Sequence, residues 1–349
     1  MKNFFSGKWK LKALLILVAI ILSFLGSDPE DLFTFLQYRG KYCSHNAITS
    51  PYCNFRVVGT LEGHPTANAL VISADGQTLV SGGQDKTIKV WELQTLKLKK
   101  TLQSDSGAIN ALAISPDGKT VVSGSGDGIV RIWDITRDRP QKILKGHSGN
   151  VTHVDISADG QTIISLDQGK LPEIKVWDMA TGEQKARLPY SHFDDISPDG
   201  KTVLFTSPDS KLMAWNVATN QQKVLLKSFS PSNLARISLD GQTLVSIKRA
   251  GKYYFYLQVS DLTTGKLKAQ KRFSRKIFRP FDIALSHNLI IGSTSKGLTL
   301  WNLQTVELEA ILEKQLLSLF VVSPDGKLLA GITNSRDHQN PKILLLQRP

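Results

Sequence analysis

From residue 61 onward, apolar and polar positions alternate in short runs that are broken at regular intervals by Asp-Gly or Gly-rich turns. The clearest stretches are ISADGQTLVSGGQDKTIKVWEL (72–93) and ISPDGKTVVSGSGDGIVRIWDI (114–135), and each reads strand, turn, strand, turn, strand. Period-two alternation predicts half-buried strands, and Asp-Gly between two such runs predicts a tight hairpin in which both residues take positive φ. The unit returns at 156–179, 196–217, 237–262, 284–303 and 322–347, seven copies in all. Fourth strands follow at 96–102, 141–145 and 266–273, but no segment is left for one after the last copy. FRVVGTL (55–61) precedes the first copy and has no unit of its own, so it is expected to complete the seventh. A period of about 40 residues with four strands per unit predicts an all-β, seven-bladed propeller, because one such sheet buries both faces only when neighbours stack on it.

A different pattern opens the chain. Residues 13–26, ALLILVAIILSFLG, run apolar and uncharged behind Lys2, Lys8, Lys10 and Lys12. Two readings stand. A cleaved signal peptide fits the length, whereas an uncleaved anchor fits the bulky Phe24 and Leu25, which are poor at a cleavage site. Four lysines before the segment and Asp28, Glu30 and Asp31 after it place the rest of the chain outside the cytoplasm. The expected order is therefore 1–27 anchor or signal, 28–54 a stalk of a short helix and a loop, and 55–349 propeller. Cys43 and Cys53 bracket that loop, and an oxidising compartment would favour their disulfide, whereas a cytosolic one would leave two thiols.

These repeats resemble the WD-repeat family. By that resemblance, the family's blade-stabilising hydrogen-bond chain falls on His64, Ser81, Asp85 and Trp91 in the first unit and on His147, Ser165, Asp167 and Trp177 in the third. In the second, Ser123, Asp127 and Trp133 are present without the histidine. In the fifth, Val259 is read at the tryptophan position, and the seventh has neither Trp nor Trp-Asp. The SPDGK hairpin is also similar to that of bacterial periplasmic propellers.

Composition adds a charge bias, with 43 basic against 30 acidic residues and a net charge of +13. Lys248, Arg249, Lys252, Lys266, Lys268, Lys271, Arg272, Arg275, Lys276 and Arg279 crowd 248–279 against one acid, Asp261. Alternating strand direction would bring the loop 248–252 and the link 275–279 to one face, a basic patch with Tyr253, Tyr254, Tyr256 and Phe278 interleaved. Anionic headgroups and an acidic protein both fit it, whereas nucleic acid fits the charge but not the compartment. No nucleophile elbow, HExxH pair, phosphate loop or Cys-His metal spacing occurs, so neither a cofactor nor a catalytic residue is assigned. The expected function is a monomeric, membrane-tethered, non-catalytic scaffold for other proteins. Its alternatives are an exported periplasmic propeller acting as ligand binder or lactonase-like hydrolase, and an assembly module on the cytoplasmic side.

Overall fold

The computed structural model describes residues 54–349 apart from 106, 171, 191, 230–233, 252–253, 275–281, 287, 295–296, 314–316, 334–341 and 349. The anchor or signal segment, the stalk, Cys43, Cys53, Lys252, Tyr253, Arg275, Lys276, Phe278 and Arg279 lie outside the described residues. None of the described helices is long and apolar enough to cross a membrane.

Seven four-stranded antiparallel sheets follow one another along the chain. Blade one is built from Ala67–Ile72, Thr78–Gly83, Thr87–Glu92 and Lys97–Gln103, in that order from axis to rim. Blade seven takes Leu317–Val322, Leu328–Thr333 and Ile343–Gln347 from the end of the chain and Arg56–Leu61 from its beginning. Arg56 pairs with Gln347 and Leu61 with Ile343, which closes the ring as the unserved first strand predicts. Closure leaves no blade to fray from one end of the chain.

The core lies between blades. Val80, Ile88 and Val90 of blade one pack with Ile109, Leu112, Val121 and Trp133 of blade two. Trp91 likewise faces Ala330, Ile332 and Leu345 of blade seven. A buried indole removes on the order of 200 Å² from water, about 5 kcal/mol as an upper bound. Trp91 and Trp133 therefore hold blades one and two to the blade before each.

The hairpin chemistry differs from the expectation in one respect. In six Asp-Gly hairpins a serine Oγ donates to the aspartate two residues on: Ser73 to Asp75, Ser115 to Asp117, Ser157 to Asp159, Ser197 to Asp199, Ser238 to Asp240 and Ser323 to Asp325. Only the glycine that follows takes positive φ, from 68 to 71°. Aspartate stays in the ordinary region because its carboxylate is needed as an acceptor, for the serine and for the N–H two residues further on, as in Asp75 with Gln77 N at 2.9 Å.

Strand direction sorts the loops onto two faces of the disc. The Ser-x-Asp-Gly hairpins lie on one, and the turns between second and third strands lie on the other. Arg56 begins an outermost strand, so the chain enters the propeller on the hairpin face, and Arg348 leaves it there.

Candidate functional site

In blade one, His64 Nε2 and Trp91 Nε1 each lie 2.8 Å from Ser81 Oγ, and His64 Nδ1 lies 3.0 Å from Asp85. A neutral imidazole protonated on Nδ1 satisfies every group: it donates to Asp85 and accepts from the Ser81 hydroxyl, which accepts from the indole N–H. Burial holds the imidazole below its usual range despite the carboxylate beside it. For Asp85 burial works upward, but hydrogen bonds from His64 and Thr87 outweigh it and lower the carboxyl. Ser81 is fully buried, so this triad-like set ties a blade together and presents no nucleophile to a substrate.

Blade two keeps the Trp133 Nε1 to Ser123 Oγ bond at 2.8 Å. Where the histidine is missing, Arg131 Nη2 donates to Asp127 Oδ2 at 2.8 Å. The substitution was not read from the sequence, because Arg131 resembles an ordinary exposed strand cation, whereas it is only 3% exposed. In blade three, His147 Nε2 lies 2.6 Å and Trp177 Nε1 2.7 Å from Ser165 Oγ. Asp167 ends the second strand two residues before the position that Asp85 occupies, and its nearest oxygen is 3.5 Å from His147 Nδ1. It is spent instead on the N–H groups of Ser148, Gly149 and Glu173.

The later blades abandon the arrangement. Trp215 Nε1 donates to Asn220 Oδ1 at 3.0 Å, and Phe205 fills the serine position. In blade five, Leu244 pairs with Ser260 as Leu79 pairs with Trp91, so Ser260 and not Val259 holds the tryptophan position.

Near the axis, the innermost strands staple blade to blade. Asn68 Nδ2 donates to Ile109 O at 3.3 Å and Asn110 Nδ2 to Val151 O at 3.5 Å. Register places Asp155, Asp195 and Arg236 at the position of Val71 and Ala113 in the earlier blades. Asp195 Oδ2 accepts from Ile237 N at 2.6 Å, and Arg236 Nη1 donates to Asp194 O at 2.6 Å, both between blades four and five. These groups are partly open to the tunnel, yet protein surrounds them in depth. Burial and then the Asp195 charge push Asp155 up to about 7. Burial raises Asp194 to about 7 as well, against its bond from Thr206. Among the described residues no group of three His, Cys, Asp or Glu could hold a metal ion.

The basic stretch is built differently from the expected loop. Strands Thr243–Ala250, Tyr254–Asp261 and Leu267–Ser274 of blade five have eight residues each, against five to seven in the corresponding strands of other blades. Lys248 and Arg249 lie in a strand, because Val245, Ile247, Phe255 and Leu257 keep the period-two pattern through them. Lys248 pairs with Tyr256, which pairs with Arg272, and Arg249 with Phe255, which pairs with Phe273. Two rungs beyond the usual length raise a ridge of about 7 Å on the face opposite the hairpins.

One side of that ridge is apolar and fixed: Phe255 and Phe273 stack at 5.9 Å, and Phe273 meets Trp301 of blade six at 5.5 Å. The other side, toward blade four, carries Lys248, Tyr254, Tyr256 and the exposed Arg272. The Arg272 guanidinium lies 4.6 Å over the Tyr254 ring. Lys271 is part of the opposite face, and Lys266 and Lys268 lie toward the hairpin end of the strand, where Lys268 pairs with Asp261 at 3.4 Å. Among the described residues, the basic side chains of the stretch are thus divided between a ridge and a rim, while Lys252, Arg275, Lys276 and Arg279 lie outside the description.

The molecule is a seven-bladed propeller whose buried Ser, His and Trp groups stabilise blades. The model of the WD domain, G-beta repeat, matches residues 55–92, 96–134 and 138–178. Each match starts with an outermost strand and ends with the third strand of the next blade, which is why the ring closes with an N-terminal strand. Three such repeats and the propeller itself support the WD-repeat family for this chain. The fold is shared with the β-propeller domain of Cps50 (Swd1) from Myceliophteria thermophila, with a TM-score of 0.67 and 15% identity over 84% of this chain and 99% of that one. Local similarity reaches 43% over 49 residues with zinc finger CCCH domain-containing protein 59 of Arabidopsis thaliana, 14% of this chain and 10% of that protein. Protein valois of Drosophila melanogaster is 39% identical over 75 residues, 21% of this chain and 20% of that protein. The matches thus span a tenth and a fifth of these two relatives.

Proposed function

We propose that the protein is a non-catalytic scaffold, a rigid disc that binds other proteins while residues 1–27 hold it at a membrane and 28–54 form a stalk, with the propeller on the extracytoplasmic side. The WD-repeat propeller suggests protein interaction as the coarse function. What carries the reading furthest is the use of the triad-like residues: Ser81, His64 and Trp91 saturate one another inside a blade and are withdrawn from chemistry. The +13 net charge favours acidic partners over basic ones.

Fractionation of natively expressed protein, with intact mass after thiol alkylation and native electrophoresis, tests the proposal. The expected result is full-length protein in the membrane fraction, Cys43 and Cys53 alkylated only after reduction, and migration as a complex larger than the monomer. Free thiols would place the propeller in the cytoplasm, and loss of about 26 residues would make it a soluble exported protein. Migration as a bare monomer would remove the scaffold.

A further inference from the structure

We infer that the blade-four side of the blade-five ridge is the docking surface for an acidic segment of another protein, and that the face bearing it points away from the membrane. The inference rests on the tethered-scaffold reading and specifies which surface does the binding. Lys248, Tyr256 and Arg272 form one row across three strands, with Tyr254 beside Arg272 on the next rung. The apolar side of the same sheet is consumed by Phe255, Phe273 and Trp301, so the ridge is held rigid from behind. Tyr254 already orients the Arg272 guanidinium, whose flat fork suits a carboxylate.

Topology decides between an acidic protein and anionic lipid. The chain enters the disc at Arg56 on the hairpin face, so a membrane holding the preceding residues meets that face first. That face carries the turn aspartates together with Lys119, Lys201 and Lys327, and hydrogen bonds hold the carboxyls of Asp75, Asp117, Asp159, Asp240 and Asp325 below the usual range. The ridge lies on the face opposite the one at which the chain enters the propeller, which favours soluble regions of other proteins over headgroups as its occupant.

The test uses the full chain in detergent micelles, with a fluorescein-labelled peptide of alternating glutamate and serine as probe, and with vesicles of phosphatidylcholine containing phosphatidylserine in a second arm. Lys248→Glu with Arg272→Glu is expected to weaken peptide binding by about tenfold or more. Lys119→Glu with Lys201→Glu, the same charge change on the hairpin face, should leave it unchanged. Lys248→Gln with Arg272→Gln gives a milder second variant, and thermal melting checks that each variant folds. Equal losses from both reversals would mean net charge alone and would overturn the inference, as would vesicle binding lost on ridge reversal while peptide binding persists. If the ridge variants still assemble the native complex at full yield, the ridge assignment fails and the scaffold stands; if the unaltered protein forms no complex, the scaffold reading itself fails.

Discussion

Arg131 and Asp127 meet at 2.8 Å where the third strand of blade two meets its turn, at the place where blades one and three use a histidine. A guanidinium reaching from the third strand replaces an imidazole reaching from the inter-blade loop. Removing Arg131 leaves the Asp127 carboxylate with water and the Ile129 N–H. Arg131→Leu is expected to cost about 1–2 kcal/mol in denaturant unfolding, and Arg131→Leu with Asp127→Leu should recover part of that loss. A double variant no more stable than the single one would contradict the pairing.

Ser81 serves two donors or acceptors at once, His64 and Trp91. Ser81→Ala leaves both without their partner, at about 1–3 kcal/mol for each buried group so orphaned. Ser123→Ala orphans Trp133 alone in this respect. Chemical denaturation should therefore rank Ser81→Ala below Ser123→Ala in stability.

Asp155 gives a pH dependence with a definite sign. Its carboxyl lies at about 7 in the folded chain against an ordinary 3.8, so folding binds its proton more tightly. The stability it contributes is fully present below the unfolded value and is lost as pH rises through about 7. His153, lowered to about 4 by burial, works in the opposite sense between pH 4 and 6.5, so wild-type melting alone mixes the two. The difference isolates the carboxyl: relative to wild type, Asp155→Asn should gain roughly 1–2 kcal/mol between pH 5 and pH 8, less than the full shift because water in the tunnel screens it. A difference that does not change with pH would refute the assignment.

Two glycines separate close packing from backbone strain. A Cβ at Gly124 would come within 2.4 Å of Val151 Cγ1 in the next blade. Gly124→Ala should cost about 1–3 kcal/mol through overpacking. At Gly241, φ is +70° and nothing lies within 4 Å, so Gly241→Ala should cost only about 1 kcal/mol from the left-handed backbone. Thermal unfolding of the two variants should show the larger loss at Gly124.

Blade number and closure were legible because Ser-x-Asp-Gly and the alternating runs around it are local signals, and because FRVVGTL had no blade of its own. The hydrogen bonds of His64, Ser81, Asp85 and Trp91 were legible only through the resemblance of the repeat to the WD-repeat family. Arg131 was not, since its role appears only when register brings the third strand against the turn. Asp167 took the name of the expected acid but a place two residues early, beyond hydrogen-bonding reach of His147. The run KRAGK reads as a loop because charge and glycine interrupt it, yet Lys248 and Arg249 extend a strand whose partner carries the buried Phe255. Asp155, Asp195 and Arg236 look like exposed alternation along separate strands, and only the ring brings them to one axial position.

The docking claim is tested most directly by cross-linking mass spectrometry of the natively expressed full chain, unaltered and with Lys248→Glu and Arg272→Glu. The account predicts cross-links from the ridge of blade five to acidic segments of a partner protein, lost in the variant while the protein remains folded. The same partner cross-links at undiminished yield in the variant, or cross-links confined to the hairpin face, would contradict it.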